Sequence, residues 1–275
     1  MAEASVTLER LKKALEALTN SIPGEVFTVA DAEEVLGLSK RSVSFILKGL
    51  ADKGLIVRTG RGTYSIHGKP IPMLDVETLP ETSRTLHEAL SAEGILFALS
   101  CLDILSGFTH LAIRRFPNFL WVEGGSEDWA MEVASKVGFT PIREPTSTQL
   151  PVALEFTADA NPVIIRKTSI FYATKGGLAR VERALVDLHY EVTRERYPLD
   201  GGELMRIFYY ALTTISIDFP KLLRYSGMRH LRHEIKWILW QLKGKAEIPN
   251  AYLEPKPKPN KFVHRLPNID EALRR

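Results

Sequence analysis

Only one cysteine, Cys101, occurs in the 275 residues. A lone thiol can form neither an internal disulfide nor a cysteine-based zinc site. It lies in the apolar run Leu99-Ser100-Cys101-Leu102 and is expected as a packed core thiol. Long apolar stretches are also missing. None approaches the roughly 20 residues that span a bilayer, so no membrane partner is expected. The N-terminal segment carries Leu11, Leu15 and Leu18, but Lys12, Lys13 and Glu16 interrupt it. That pattern lacks the continuous apolar core of a secretion signal and predicts a cytoplasmic protein. No internal repeat is found. The remaining composition, 45% hydrophobic and 25% charged, is that of an ordinary globular chain. At about 100–200 residues per domain, the length predicts two domains.

Net charge is only +3, but it is unevenly distributed. Between Ser39 and Lys69 seven basic residues (Lys40, Arg41, Lys48, Lys53, Arg58, Arg61 and Lys69) face Asp52 alone, a net of +6. From Ile71 to Pro220, 13 basic residues meet 20 acidic ones, a net of −7. From Lys221 onward, 13 basic residues meet five acidic ones, a net of +8. Two basic zones thus flank an acidic one, and localised positive charge attracts polyanions where an evenly mixed surface does not.

Apolar spacing predicts a first helix over Thr7–Thr19, closed by Asn20 and Pro23-Gly24. Thr28 caps a second helix, Val29–Leu36, with Asp31 and Glu33 near its positive end. Gly37 supplies a turn and Ser39 caps a third helix, Lys40–Lys53, stopped by Gly54. Strands are expected over Leu55–Arg58 and Thr63–His67, joined by the hairpin Gly60-Arg61-Gly62. Lys69-Pro70-Ile71-Pro72 opens a linker. Beyond it, helices are expected over Ser83–Ser91, Ile95–Ser106, Ser126–Val137 (capped by Ser126), Leu178–Glu191, Leu204–Ile215 and His230–Leu242. Strands are expected over Phe119–Glu123, Val152–Thr157 and Val163–Tyr172. Five prolines between 249 and 267, interleaved with lysine, exclude a regular element there and predict an extended or docked arm.

The third helix carries the most chemistry. Val43, Ile46, Leu47 and Leu50 share one face at i, i+3, i+4 and i+7 and are expected to pack inward. Arg41, Ser44, Phe45 and Lys48 share the opposite face at the same spacing, with Lys40 and Ser42 beside them at the N-terminus. A B-DNA major groove admits one helix and offers donors and acceptors on base edges. Arg41 and Lys48 can reach guanine edges or phosphates, and Ser42 and Ser44 can reach phosphate or base. Phe45 is unusual for an exposed place; it either touches a thymine methyl or packs on the linker or a second subunit. Arg61, between two glycines at the hairpin tip, suits a minor groove or flanking phosphate, with Arg58 and Lys69 beside it.

The run Leu38 to Leu50, followed by Lys53-Gly54-Leu55-Ile56 and the hairpin, resembles the winged helix-turn-helix superfamily. The resemblance implies duplex-DNA recognition through the third helix and the wing. The fold class expected is therefore α+β: a winged helix-turn-helix over 1–70, a linker over 71–82, a larger mixed α/β domain over 83–244, and an extended Pro/Lys-rich tail over 245–275.

Catalytic constellations in the second domain are weak. Gly124-Gly125-Ser126 after a strand is similar to the Gly-Ser of nucleotidyltransferases. The paired carboxylates that hold metal ions there are missing from Leu154-Glu155-Phe156 and Ile164-Ile165-Arg166-Lys167, and Asp159 falls on a turn. His230 and His233 are three apart with Glu234 outside them, not the i, i+4 pair of a zinc helix. Lys175-Gly176-Gly177 lacks the rest of a phosphate loop. Glu182, Arg183 and Asp187 read as a salt-bridged helix face or a buried polar network. No catalytic, metal or cofactor site is assigned.

The stretch Leu178 to Leu188, with Glu182-Arg183-Ala184-Leu185-Val186-Asp187-Leu188, is similar to the E-R-T-L-V-D-L signature of the AbiEi-type antitoxin regulators of type IV toxin–antitoxin and phage-defence loci. The winged N-terminus and the segment Ser83–Phe108 follow the same layout, while Ala184 and the Pro/Lys-rich tail depart from it. The resemblance implies autorepression at inverted repeats and opposition to a nucleotidyltransferase-type toxin. Two-fold operators imply a homodimer. A DNA-binding transcriptional regulator is thus the leading expectation. A winged-helix protein-interaction module and a nucleotidyltransferase-like enzyme are the alternatives.

Overall fold

The computed structural model describes residues 8–22, 26–52, 55–60, 62–66, 76–100, 102–109, 116–157 and 160–274. Lys53, Arg61, Lys69, Cys101 and Asp159 lie outside the described residues. The chain is a mixed α/β protein with two compact units, Met1–Pro72 with Leu212–Pro220 and Met73–Ala211 with Lys221–Arg275.

The first unit contains α1 (Leu8–Ser21), β1 (Val26–Thr28), α2 (Val29–Leu36), α3 (Lys40–Asp52), β2 (Val57–Gly60) and β3 (Thr63–Ser65). The strands form an antiparallel sheet in the order β1-β3-β2. Leu11, Leu18, Phe27, Val43, Ile46, Leu47, Leu50 and Ile56 form one buried cluster. This is the inward face anticipated for α3. Thr28 ends β1 and starts α2 through a capping box: its hydroxyl accepts from the Asp31 amide, and its own amide donates to the Asp31 carboxylate at 2.6 Å. Gly37, at φ +61, closes α2 in the left-handed conformation that glycine adopts without strain. The strand β1 has no counterpart in the sequence expectations. Three residues are too few for alternation to register, and pairing with β3, with Phe27 stacked on Tyr64 at 5.9 Å, is what makes it a strand.

The second unit begins with a single 3-10 turn, Val76–Thr78, and α4 (Glu81–Ala92), which occupy part of the expected linker. The chain continues through β4 (Phe97–Ser100), β5 (Asn118–Glu123), α5 (Glu127–Lys136), β6 (Phe139–Arg143), α6 (Gln149–Phe156), β7 (Asn161–Thr168), β8 (Thr174–Lys175), β9 (Leu178–Ala179) and α7 (Val181–Arg194). The helices that follow are α8 (Gly201–Thr214), α9 (Phe219–Met228), α10 (Arg232–Gln241), α11 (Asn250–Leu253) and α12 (Ile269–Arg274); the end of α8 and the start of α9 fall in the first unit, with Leu212–Pro220. The sheet runs β6-β7-β5-β4-β9-β8, parallel for β6, β7 and β5 and antiparallel between β5 and β4.

Several elements differ from the sequence expectations. Within the helix expected over Ile95–Ser106, Phe97–Ser100 is the strand β4, entered after Gly94 at φ +72, residues 102–105 are turns and Ser106 starts a 3-10 turn. All four of its residues are buried, so both faces are covered and no burial period separates it from a buried helix. The strand expected over Val152–Thr157 is the helix α6. Thr146 and Gln149 exchange hydrogen bonds ahead of it in the manner of a capping box. Ser126 makes no capping bond to α5; the Glu127 carboxylate instead accepts from the Gly125 amide at 2.5 Å. The helix expected from Leu178 starts at Val181, because Leu178 and Ala179 join the sheet beside β4.

Residues 245–275 belong to the second unit rather than standing apart. Against the expectation of no regular element, short helices form over Asn250–Leu253, between Pro249 and Pro255, and over Ile269–Arg274, past the last proline, and Leu253, Val263, Leu266, Ile269 and Ala272 are buried. The Arg206 guanidinium donates to the Ala272 carbonyl, and the Lys236 ammonium to the Glu254 carbonyl. The segment is a docked arm, held by its apolar residues.

Candidate nucleic-acid interface

The inward face of α3 fixes what its outer face presents. With Val43, Ile46, Leu47 and Leu50 buried, Lys40, Arg41, Ser44, Phe45 and Lys48 are exposed and Ser42 is half-buried. The Ser42 hydroxyl lies 3.1 Å from that of Ser39, at the N-terminal turn. Phe45 keeps 54% of its surface accessible, a high value for an aromatic ring between two cationic positions. Arg41 and Lys48 are seven residues apart, about 10 Å along the helix axis. That span matches a groove about 12 Å wide. Arg58, on β2, is exposed as well. Of the eight residues named as DNA contacts, seven are placed on α3 or β2; Arg61 lies outside the described residues.

The structure also places the other constellations. The carbonyl of Gly176 meets His87 Nε2 at 2.6 Å, and the Gly177 carbonyl accepts from the Leu99 amide. This loop turns carbonyls, not amides, toward its neighbours. A Cβ on Gly177, at φ +78, would stand 2.5 Å from the Phe97 ring, so the glycine serves close packing. His230 sits in a turn before α10, and the ring of His233 meets the Lys258 carbonyl. Among the described residues, no group of three or more His, Cys, Asp and Glu is placed to hold a metal ion.

The helix α7 carries a buried polar cluster. Arg183 and Asp187 are fully buried and paired at 3.2 Å. Tyr225 donates to Asp187 at 2.6 Å, and Arg183 also donates to the Ile170 carbonyl and the Thr174 hydroxyl. Burial pushes the Tyr225 hydroxyl well up, which keeps it a donor. One turn on, Glu191 receives two hydrogen bonds of 2.8 Å from Arg166. The motif that reads on paper as one charged helix face is therefore a core network.

Glu234 ties α10 to α7 through His189 at 2.7 Å and Arg194 at 2.6 Å, and Asn260 of the C-terminal arm donates to it as well. Burial opposes the Glu234 charge, but the hydrogen bonds from His189, Arg194 and Asn260 outweigh it and hold the carboxyl at about 2. Burial lowers the affinity of His189 for a second proton. Its Nδ1 is enclosed without a partner, which suits a lone pair and not a second N–H. The ring is thus neutral and donates through Nε2.

The pH dependence follows. Below its ordinary 6.5 the unfolded imidazole takes a proton that the folded one refuses, so stability drops as pH falls through about 6.5. The Glu234 contribution is intact above its ordinary 4.5 and is lost between there and about 2. Thermal unfolding is expected at a lower midpoint at pH 5 than at pH 7, with the difference reduced in His189→Gln. Equal midpoints at the two pH values in the native chain would contradict this assignment.

No helix among the described residues is long and apolar enough to cross a membrane. Two units, one helical with a small antiparallel sheet and one built on a six-stranded mixed sheet, define a two-part α/β protein. Residues 42–245 match a family of unknown function, DUF6577, and the chain belongs to that family. The match begins inside α3 and ends just beyond α10. No curated protein matches the chain.

Proposed function

We propose that the protein is a sequence-specific DNA-binding transcriptional regulator whose first unit is a winged helix-turn-helix. The single observation that carries this is the outer face of α3: Lys40, Arg41, Ser44, Phe45 and Lys48 exposed together, backed by a face of buried aliphatic residues. The support from topology is three helices followed by an antiparallel hairpin, with a third strand completing the sheet in the order β1-β3-β2. In such a domain the third helix enters the major groove and the hairpin lies against the flanking backbone. Arg41 and Lys48 are the base or phosphate contacts near the two ends of the reading face, and Arg58 belongs to the wing. Recognition by one short helix contacts too few base pairs for high specificity, so the regulator acts as a homodimer on an inverted repeat. By its likeness to the AbiEi-type regulators, the operator lies in its own promoter and the second unit opposes a nucleotidyltransferase-type toxin.

The test is a mobility-shift titration of the full chain against operator duplex, with Arg41→Ala/Lys48→Ala beside the native protein. Specific binding is expected to disappear in the variant while its far-ultraviolet circular dichroism is retained. Unchanged affinity would defeat the assignment. Exposure of Phe45 is the observation that favours a second reading, docking of the same face on a protein. In that case native binding to duplex would be weak and blind to sequence.

A further inference from the structure

A second basic surface lies in the other unit. An open groove of about 600 Å³ is lined by Trp240, Lys243, Leu253, Glu254, Pro255 and Lys256. The end of α10 and Lys243 just beyond it line one part of the groove, and the end of α11 with the residues after it walls the other. Leu253 is buried and anchors that wall, and the Lys236 ammonium holds the Glu254 carbonyl at 2.7 Å. Trp240 is half-buried, with the Lys256 ammonium 3.9 Å from its ring centroid. Lys243 and Lys256 are exposed, as are Lys258 and Lys261 a few residues further on. Among the described residues, Glu254 is the only carboxylate lining the groove. This is the part of the chain that carries 13 basic against five acidic residues.

We infer that this groove binds a nucleotide unit, with its base stacked on the Trp240 indole and its phosphate on Lys243 and Lys256. The volume is in the range of small-ligand clefts, about 300–1,000 Å³, and far too small for a duplex. A flat aromatic face within a cationic groove is the combination that holds single-stranded nucleic acid, because every base has a π-face and every linkage a negative charge. Lys256 rests on the ring in the free chain. A base taking that ring face releases the ammonium toward the phosphate attached to the same base, so one ligand engages both groups. An acidic peptide would use the lysines but leave the indole without a flat partner. The nucleotide is either free or part of a strand, and the two sources share this chemistry.

The experiment measures fluorescence anisotropy of a labelled ten-residue deoxythymidine strand with the full chain, and competition by adenosine monophosphate. The native protein is expected to bind the strand. Trp240→Ala should weaken it by about five- to 150-fold, the loss of one stacked base. Trp240→Phe, which keeps a smaller stacking face and serves as the folding control, should retain most of the affinity. Lys243→Glu/Lys256→Glu should abolish binding. Substituting both lysines by alanine should flatten the plot of log K against log salt by about 0.7, the share of the one phosphate that they neutralise together. Competition by the mononucleotide assigns the groove to free nucleotides, and its absence assigns it to a strand; either supports the inference. Arg41→Ala/Lys48→Ala should leave strand binding intact, so the groove and the α3 interface stand or fall separately. No binding of strand or mononucleotide by the native chain would overturn the inference. So would equal strand affinity in native, Trp240→Ala and Lys243→Glu/Lys256→Glu proteins.

Discussion

Replacing Asp187 by alanine is expected to destabilise the second unit by about 3–5 kcal/mol, because it leaves the Arg183 guanidinium buried without a counter-charge. Both side chains have 0% exposure, so solvent cannot compensate. Arg183 keeps its bonds to the Ile170 carbonyl and the Thr174 hydroxyl, but these are neutral acceptors. Tyr225 loses its acceptor at the same time, and an orphaned buried hydroxyl adds to the cost. In thermal unfolding, the midpoint is expected to drop by on the order of 10 °C. The double substitution Arg183→Met/Asp187→Leu should cost clearly less than the sum of the singles, since removing both charges removes the penalty of burying either. A loss below about 1 kcal/mol for Asp187→Ala, against that expectation for an unpaired buried charge, would show that the pair does not sustain the core.

The second large effect falls on binding. A good bidentate pairing with a base contributes about 1–3 kcal/mol of discrimination, so removing two in Arg41→Ala/Lys48→Ala should lower operator affinity by about thirty-fold or more. Whatever share of the effect comes from phosphates appears in the salt dependence, which should flatten by about 0.9 for each phosphate no longer neutralised. Measured at several salt concentrations, the variant therefore distinguishes base reading from simple attraction. Neither side chain contributes to the buried face of α3, so stability should be unaffected.

The first unit is largely legible in the sequence because its signals are local. Apolar residues at i, i+3, i+4 and i+7 locate the buried face of α3, and the Thr28–Asp31 pair and Gly37 bound α2 within a residue. The second unit is harder because its decisive contacts are distant in sequence. The strand β4 is buried on both sides, so Phe97-Ala98-Leu99-Ser100 carries no alternation, and only pairing with β5 and β9 makes it a strand. For α6 a usable signal exists: Thr146 and Gln149 carry capping-box spacing, against Val152, Phe156 and Thr157, which suggest a strand. Burial of the α7 charges cannot be read from helical spacing, since Arg166, Tyr225 and Glu234 come from three other elements. The Trp240 groove is hidden for the same reason. Its wall is a proline-rich segment that buried Leu253 and Val263 dock in place, and in the sequence the lysines dominate that segment.

If the exposed face of α3 reads the sequence of duplex DNA, the full chain will select particular fragments from a random duplex pool. A motif with two-fold symmetry, its half-sites about one helical turn apart, is the predicted result. Recovery of a pool no different from the input, at salt where the protein is folded, would contradict it.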